Sequence, residues 1–150
     1  MNHIFFFIYL AITSGMFSML EIQSEGEEGW ATNFPTWKKN NKWTRHFYGN
    51  RPLTGYHLFF FLFILSISHL PYGLGLVEPT WPYEIRILSF IILFFVIEDF
   101  LWFVLNPAFG IRKFKAEHIW WHALQWWWIM PRDYWIYLPI GIGLYIWSLY

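Results

Sequence analysis

Cysteine is absent from this 150-residue chain. That excludes disulfides, thiolate nucleophiles and cysteine-ligated metal or iron–sulfur centres, and it leaves the redox compartment open. Charge is scarce too. Asp, Glu, Lys and Arg make up 13% of the residues, with 10 basic and 10 acidic side chains and a formal net charge of zero. Without a basic excess there is no electrostatic ground for binding nucleic acid. The sequence also has no repeat of fixed period, phosphate-binding glycine loop, G-x-S-x-G nucleophile elbow, H-E-x-x-H motif or set of histidine boxes of the kind found in membrane desaturases.

What the chain has instead is apolar and aromatic surface. Hydrophobic residues are 57% of the total and aromatic residues 25%, including 12 tryptophans, which lies outside the usual balance of a soluble domain. Four apolar segments approach the roughly 20 residues needed to cross a bilayer. The expectation is an all-α, small polytopic membrane protein forming a single integral-membrane domain over residues 1–150, with helices at about 4–22, 53–76, 85–105 and 131–150. The first segment has neither the basic leader nor the small-residue cleavage pattern of a signal peptide and reads as a retained helix. Pro71 sits near the far end of the second, Asn106 and Pro107 close the third, and Pro131 suits the first turn of the fourth. Pro139, Gly141 and Gly143 within the fourth point to a kink or to close packing against a neighbour.

Basic residues set the orientation. Lys38, Lys39, Lys42, Arg45 and Arg51 lie between the first and second segments, and Arg112, Lys113, Lys115 and Arg132 between the third and fourth; only Arg86 is left for the opposite face. The positive-inside rule then places the loops at about 23–52 and 106–130 in the cytoplasm and both termini outside, with the cytoplasmic (inner) membrane as the expected location. In the first loop, Trp30, Phe34, Trp37, Trp43, Phe47 and Tyr48 interleave with the basic residues, a mixture suited to a membrane surface. It serves either as a plain juxtamembrane anchor or to recognise lipid headgroups. The second loop is expected to hold an interfacial amphipathic helix, with Lys115, His118, His122 and Gln125 on its polar stripe and Phe114, Trp121, Leu124 and Trp128 on its apolar one.

The chemistry of the chain concentrates near the cytoplasmic side. Glu98 and Asp99 interrupt the apolar run at 87–105, where an ionisable side chain is costly and is by default a functional-site candidate. Glu98 is seven residues from Leu105, about 10 Å below the surface at 1.5 Å per residue. Asp99 is about 100° around the helix from Glu98, so the two cannot both point directly at one centre. One of the two is therefore expected to bind at the centre while the other pairs with Arg112 or accepts hydrogen bonds from tryptophan indoles. His57 opens the second segment, Glu21 and Glu25 close the first, Asp133 begins the fourth, and His118 and His122 lie four residues apart in the loop, a spacing that aligns them if helical. His69 lies 12 residues beyond His57, at the other end of its helix.

Carboxylates and imidazoles delivered by several helices to one level are how metal sites in helical bundles are assembled. The pattern predicts a metal-dependent membrane enzyme acting on a lipid or lipophilic substrate at the cytoplasmic leaflet. His57, Glu98, His118 and His122 would ligate zinc or iron, with Glu98, Asp99 and Glu25 as catalytic carboxylates or proton carriers. Each residue also has a plainer role: solvated helix ends for Glu21 and Glu25, a dipole partner for Asp133, and a water-facing stripe for the histidines. The competing reading is a non-catalytic subunit or scaffold of a larger membrane assembly, with lipids, a membrane protein or a second copy as its partners.

Overall fold

In the computed structural model, residues 3–42, 44 and 51–150 are described. Trp43, Arg45, Phe47 and Tyr48 of the aromatic and basic loop lie outside them. The described chain is mostly helical. Helix α1 is His3–Glu25, α2 is Gly55–Ser68, α3 is a single turn at Leu70–Gly73, α4 is Trp81–Leu105 and α5 is Arg132–Trp147. Two of these, α1 and α4, are long and apolar enough to cross a membrane, while α2 is apolar but shorter.

Local chemistry explains where α2 begins and ends. The Thr54 hydroxyl accepts from the His57 backbone N–H at 3.1 Å, an N-cap that starts the helix two residues after Pro52. The segment expected to run unbroken over 53–76 instead stops at His69, and α3 follows with Pro71 in its first turn. Proline lacks an N–H and its ring displaces the preceding turn, so one helix cannot continue through it. Two short antiparallel ladders flank the helix starts. β1 (Lys38–Lys39) pairs with β2 (Leu53–Thr54), and β3 (Trp126–Trp127) with β4 (Met130–Pro131).

Small side chains fix how α4 meets its neighbours. Ser14 and Ser18, one turn apart on α1, are fully buried and donate to the Phe94 and Glu98 carbonyls, one turn apart on α4, at 3.4 and 2.9 Å. Successive turns in register make α1 and α4 parallel. On the other flank, Ser89 donates to the Gly141 carbonyl at 2.8 Å, and a Cβ on Gly141 would lie 2.6 Å from the Leu93 side chain. Arg86 reaches Ser148 near one end and Asp99 reaches Tyr134 near the other, so α4 and α5 are antiparallel. Helix α2 packs through rings, with Phe60 stacked on Phe17 at 4.2 Å and Phe61 on Phe95 at 5.8 Å.

Residues 106–130 do not form the expected amphipathic helix. They make two 3-10 turns, Ile111–Lys113 and Ala123–Gln125, and end in the β3–β4 turn. The burial pattern gives the reason. Ile119 and Trp121, two residues apart, are both buried, and His122 is buried beside them. On a helix Ile119 and Trp121 would face nearly opposite ways, whereas the turned backbone drives both into a cluster with Ile22, Trp102 and Phe103. Trp121 stacks on Phe103 at 5.5 Å, and Asn106 ties the end of α4 to the end of α1 by donating to the Gly26 carbonyl at 2.8 Å. The loop thus closes over one end of the bundle and carries His122 inward.

Candidate functional site

The ends of α1 and α4 and the starts of α2 and α5 meet at the same level, and a cavity of about 490 Å³ opens between them. One end of it is polar, lined by Glu21, Glu25, Arg51, His57, Glu98, Asp99, His122, Asp133 and Tyr134. The remainder is apolar and extends between α2, α4 and α5 past Phe61, Leu65, Leu88, Ile91, Ile92 and Phe95. Helix α2 touches α4 through large rings and not through small residues, which leaves this space open.

The adjacent carboxylates of α4 take different partners, as their angular separation requires. Glu98 turns toward α1, where its carboxyl hydrogen-bonds that of Glu21, a contact that needs one proton between the two. The Tyr56 hydroxyl donates to the Glu21 Oε1 at 2.7 Å. Asp99 turns toward α5 and the closing loop. Its Oδ2 accepts from the Tyr134 hydroxyl and lies 3.1 Å from the His122 Nε2. The pairing with Arg112 considered for one of the two does not form, because Arg112 is exposed on the first 3-10 turn.

Arg51 joins the first loop to the far wall. It lies 3.0 Å from the Gln125 Oε1 and 3.3 Å from the Asp133 Oδ2, and its guanidinium sits over the Trp30 ring, 4.6 Å from the centroid. Burial pushes the Arg51 guanidinium below its ordinary value, and Asp133 opposes that shift. Trp30 in turn stacks on His57 at 4.2 Å and donates its indole N–H to the Pro52 carbonyl at 2.9 Å. Trp30 and Ala31 hold left-handed backbone angles, φ +50° and +49°. The Ala31 N–H donates to the Glu25 Oε1 at 2.5 Å, so Glu25 holds this strained turn over the mouth of the cavity.

Three buried polar atoms among the residues that line the cavity have no hydrogen-bond partner: Glu98 Oε1, Trp102 Nε1 and His122 Nδ1. Glu98, Trp102 and His122 are 4%, 3% and 4% exposed. An unmade hydrogen bond on a buried group is expensive, so such atoms mark a place arranged for something else.

Of the residues expected from the sequence, Glu98, Asp99, Glu25, His57 and His122 all line this one cavity, with Glu21 and Asp133 beside them. His118 does not. It is 41% exposed and faces Glu117 at 3.3 Å, because the turned loop separates it from His122. His69 sits at the other end of α2, 3.2 Å from Glu84. The ligand set expected for zinc or iron is therefore not assembled: the His57 Nδ1 is 2.6 Å from the Thr54 hydroxyl, His118 is outside, and among the described residues no three His, Asp or Glu side chains converge to hold a metal ion. Tyr134, Tyr56, Trp102 and Arg51 were not anticipated as members of the site. A tyrosine one residue after Asp133 at the start of a helix, and an arginine just before the helix carrying His57, were the available signals.

No protein-family model matches the chain, no curated protein resembles it significantly, and no solved structure shares its fold at a significant level. The chemistry of the cavity is therefore the basis on which its function is read.

Proposed function

We propose that this chain is a four-span membrane protein that draws the polar end of a lipophilic molecule into the cavity and carries out acid–base chemistry on it at the cytoplasmic leaflet. The observation that carries this reading is the two-part lining: a polar end holding Glu98, Asp99, His122 and Tyr134, continuous with an apolar part lined by Phe61, Leu65, Leu88 and Ile92. The four-span topology draws support from helix direction. α2 and α5 run antiparallel to α1 and α4, and the nine basic residues of the two loops fall at one end in sequence, which is the cytoplasmic end by the positive-inside rule and leaves both termini outside. At 1.5 Å per residue, α1 and α4 rise about 35 and 38 Å, more than the roughly 30 Å of bilayer hydrocarbon. The outward faces of α1 and α2 are rows of exposed Phe, Ile, Leu and Met, as lipid contact requires.

The acid–base role falls to His122. With its Nε2–H donating to Asp99, which Tyr134 also holds, the ring keeps one tautomer and leaves the Nδ1 lone pair as the base for a substrate hydroxyl or water. The Glu21–Glu98 pair holds a proton between its carboxyls that can be returned to the substrate. A zinc- or iron-dependent form of the reaction is not favoured by this donor set, and no step is assigned to a metal.

Native mass spectrometry of the protein released from nanodiscs tests the reading. The wild-type protein should retain a lipophilic molecule. Leu88→Trp, which fills the apolar channel from an exposed position, should lose it while unfolding at the same temperature. Ligand-free spectra for both proteins would overturn the proposal and leave a non-catalytic scaffold as the better reading.

A further inference from the structure

Resting on that reading of the cavity, we propose that the molecule it takes is a lipophilic amine, its ammonium group seated on Glu98 with Glu21 and Glu25 beside it. The polar end carries five carboxyl side chains, Glu21, Glu25, Glu98, Asp99 and Asp133. Asp99 has the His122 imidazole and the Tyr134 hydroxyl as donors, and Asp133 has cationic partners within the protein, Arg51 and Arg132. Among the described residues, Glu21, Glu25 and Glu98 have none. Their contacts are a shared carboxyl proton, the Tyr56 hydroxyl and the Ala31 amide, all neutral donors.

A carboxylate at membrane depth needs a proton or a positive charge beside it. The shared proton serves one member of the Glu21–Glu98 pair and leaves the Glu98 Oε1 buried with an unused lone pair. A primary ammonium supplies three donors and a full charge to such a site, whereas a carboxylate or phosphate head brings more acceptors and negative charge to a cluster that already has an excess of both. The walls agree with this. Trp102, Trp121 and Tyr134 line the polar end, and aromatic faces attract organic cations most strongly where water is excluded. Behind them the channel past Leu65, Leu88 and Ile92 takes an alkyl chain, so one molecule with a cationic head and a hydrocarbon tail satisfies both halves.

The test uses three probes that share one chain and differ in the head: dodecylamine, dodecanol and dodecanoic acid. Each is titrated at neutral pH, where an alkylammonium stays charged, into the protein in phosphatidylcholine nanodiscs, and the unfolding temperature is followed by tryptophan fluorescence. Dodecylamine should raise the midpoint at concentrations about tenfold below those dodecanol needs, and dodecanoic acid should have the weakest effect. Glu98→Gln should abolish the advantage of the amine and leave the dodecanol response intact. Should that variant not fold, Glu25→Gln, at the cavity mouth, should reduce the same advantage. Equal responses to amine and alcohol, or an amine advantage unchanged in these variants, would overturn the ammonium assignment while the cavity reading stands. If none of the three probes shifts the wild-type protein relative to Leu88→Trp, the cavity reading itself fails.

Discussion

Helix α4 has two unlike sides. Toward α1 and α5 it is sealed: Ser14, Ser18, Ser89 and Gly141 bring backbones close enough for hydroxyls to reach carbonyls of the next helix. Toward α2 it is propped open by Phe60, Phe61 and Phe95, and a cavity remains. On the sealed side every buried serine of these seams has a partner. Around the polar end of the cavity Glu98, Trp102 and His122 each keep an atom without one. Small residues at a membrane interface are a packing device, whereas unmet polar groups beside a void are not explained by packing. The contrast locates stability in the seams that α4 makes with α1 and α5, and chemistry at the polar end of the cavity beside them.

The sealed side should break most sharply. Gly141→Leu places a side chain where Leu93 already stands, and overpacking of this kind destabilises by about 1–3 kcal/mol or more. A fall in the unfolding temperature of the detergent-solubilised protein would show it, and an unchanged temperature would mean that α4 and α5 are not in this register. Leu88→Trp, aimed at the open side from an exposed position, should leave that temperature alone.

Arg51→Ala comes next. Its removal leaves the Gln125 Oε1 without its donor and Asp133 with Arg132 alone, a loss of about 1–2 kcal/mol for a buried charged hydrogen bond whose acceptor keeps a second partner. The same change removes the cation above Trp30, so the turn at Trp30–Ala31 should open to proteolysis before the helices do. If digestion of that turn is no faster than in the wild-type protein, Arg51 does not hold the roof of the cavity.

Much of this was legible in the sequence, for physical reasons that can be named. Two carboxylates in an apolar run announce themselves because the solvent around them is wrong, and the helix rise put Glu98 at the level where the other candidate ligands gather. The 100° step between Glu98 and Asp99 foretold different partners, and they have them: Glu21 for one, His122 and Tyr134 for the other. The loop over 106–130 resisted reading because the three- and four-residue spacing of its apolar and polar side chains matches an amphipathic helix. Tertiary packing of Ile119 and Trp121 against Phe103 outweighs that pattern. That single misreading placed His118 in the site. Tyr134 was overlooked because an aromatic residue beside an aspartate at a helix start looks like an interfacial anchor until its hydroxyl is seen to reach Asp99.

The two histidines give the smallest and most discriminating change. His118 is largely exposed and touches only Glu117 across an exposed pair, so His118→Ala should alter stability by no more than about 0.5 kcal/mol and leave probe binding as it was. His122 is buried, touches Asp99, and sits against Phe103 and Tyr134; His122→Ala removes a partner from Asp99 inside the cavity and should lower both stability and probe binding. A metal site built on both imidazoles would make the two substitutions equivalent, and metal bound by the wild-type protein would be lost in each. A cavity built on His122 alone makes them unequal. Matching losses in the two variants, seen in unfolding temperature and in metal content together, would restore the two-histidine centre and require the loop to fold as the helix its pattern suggests.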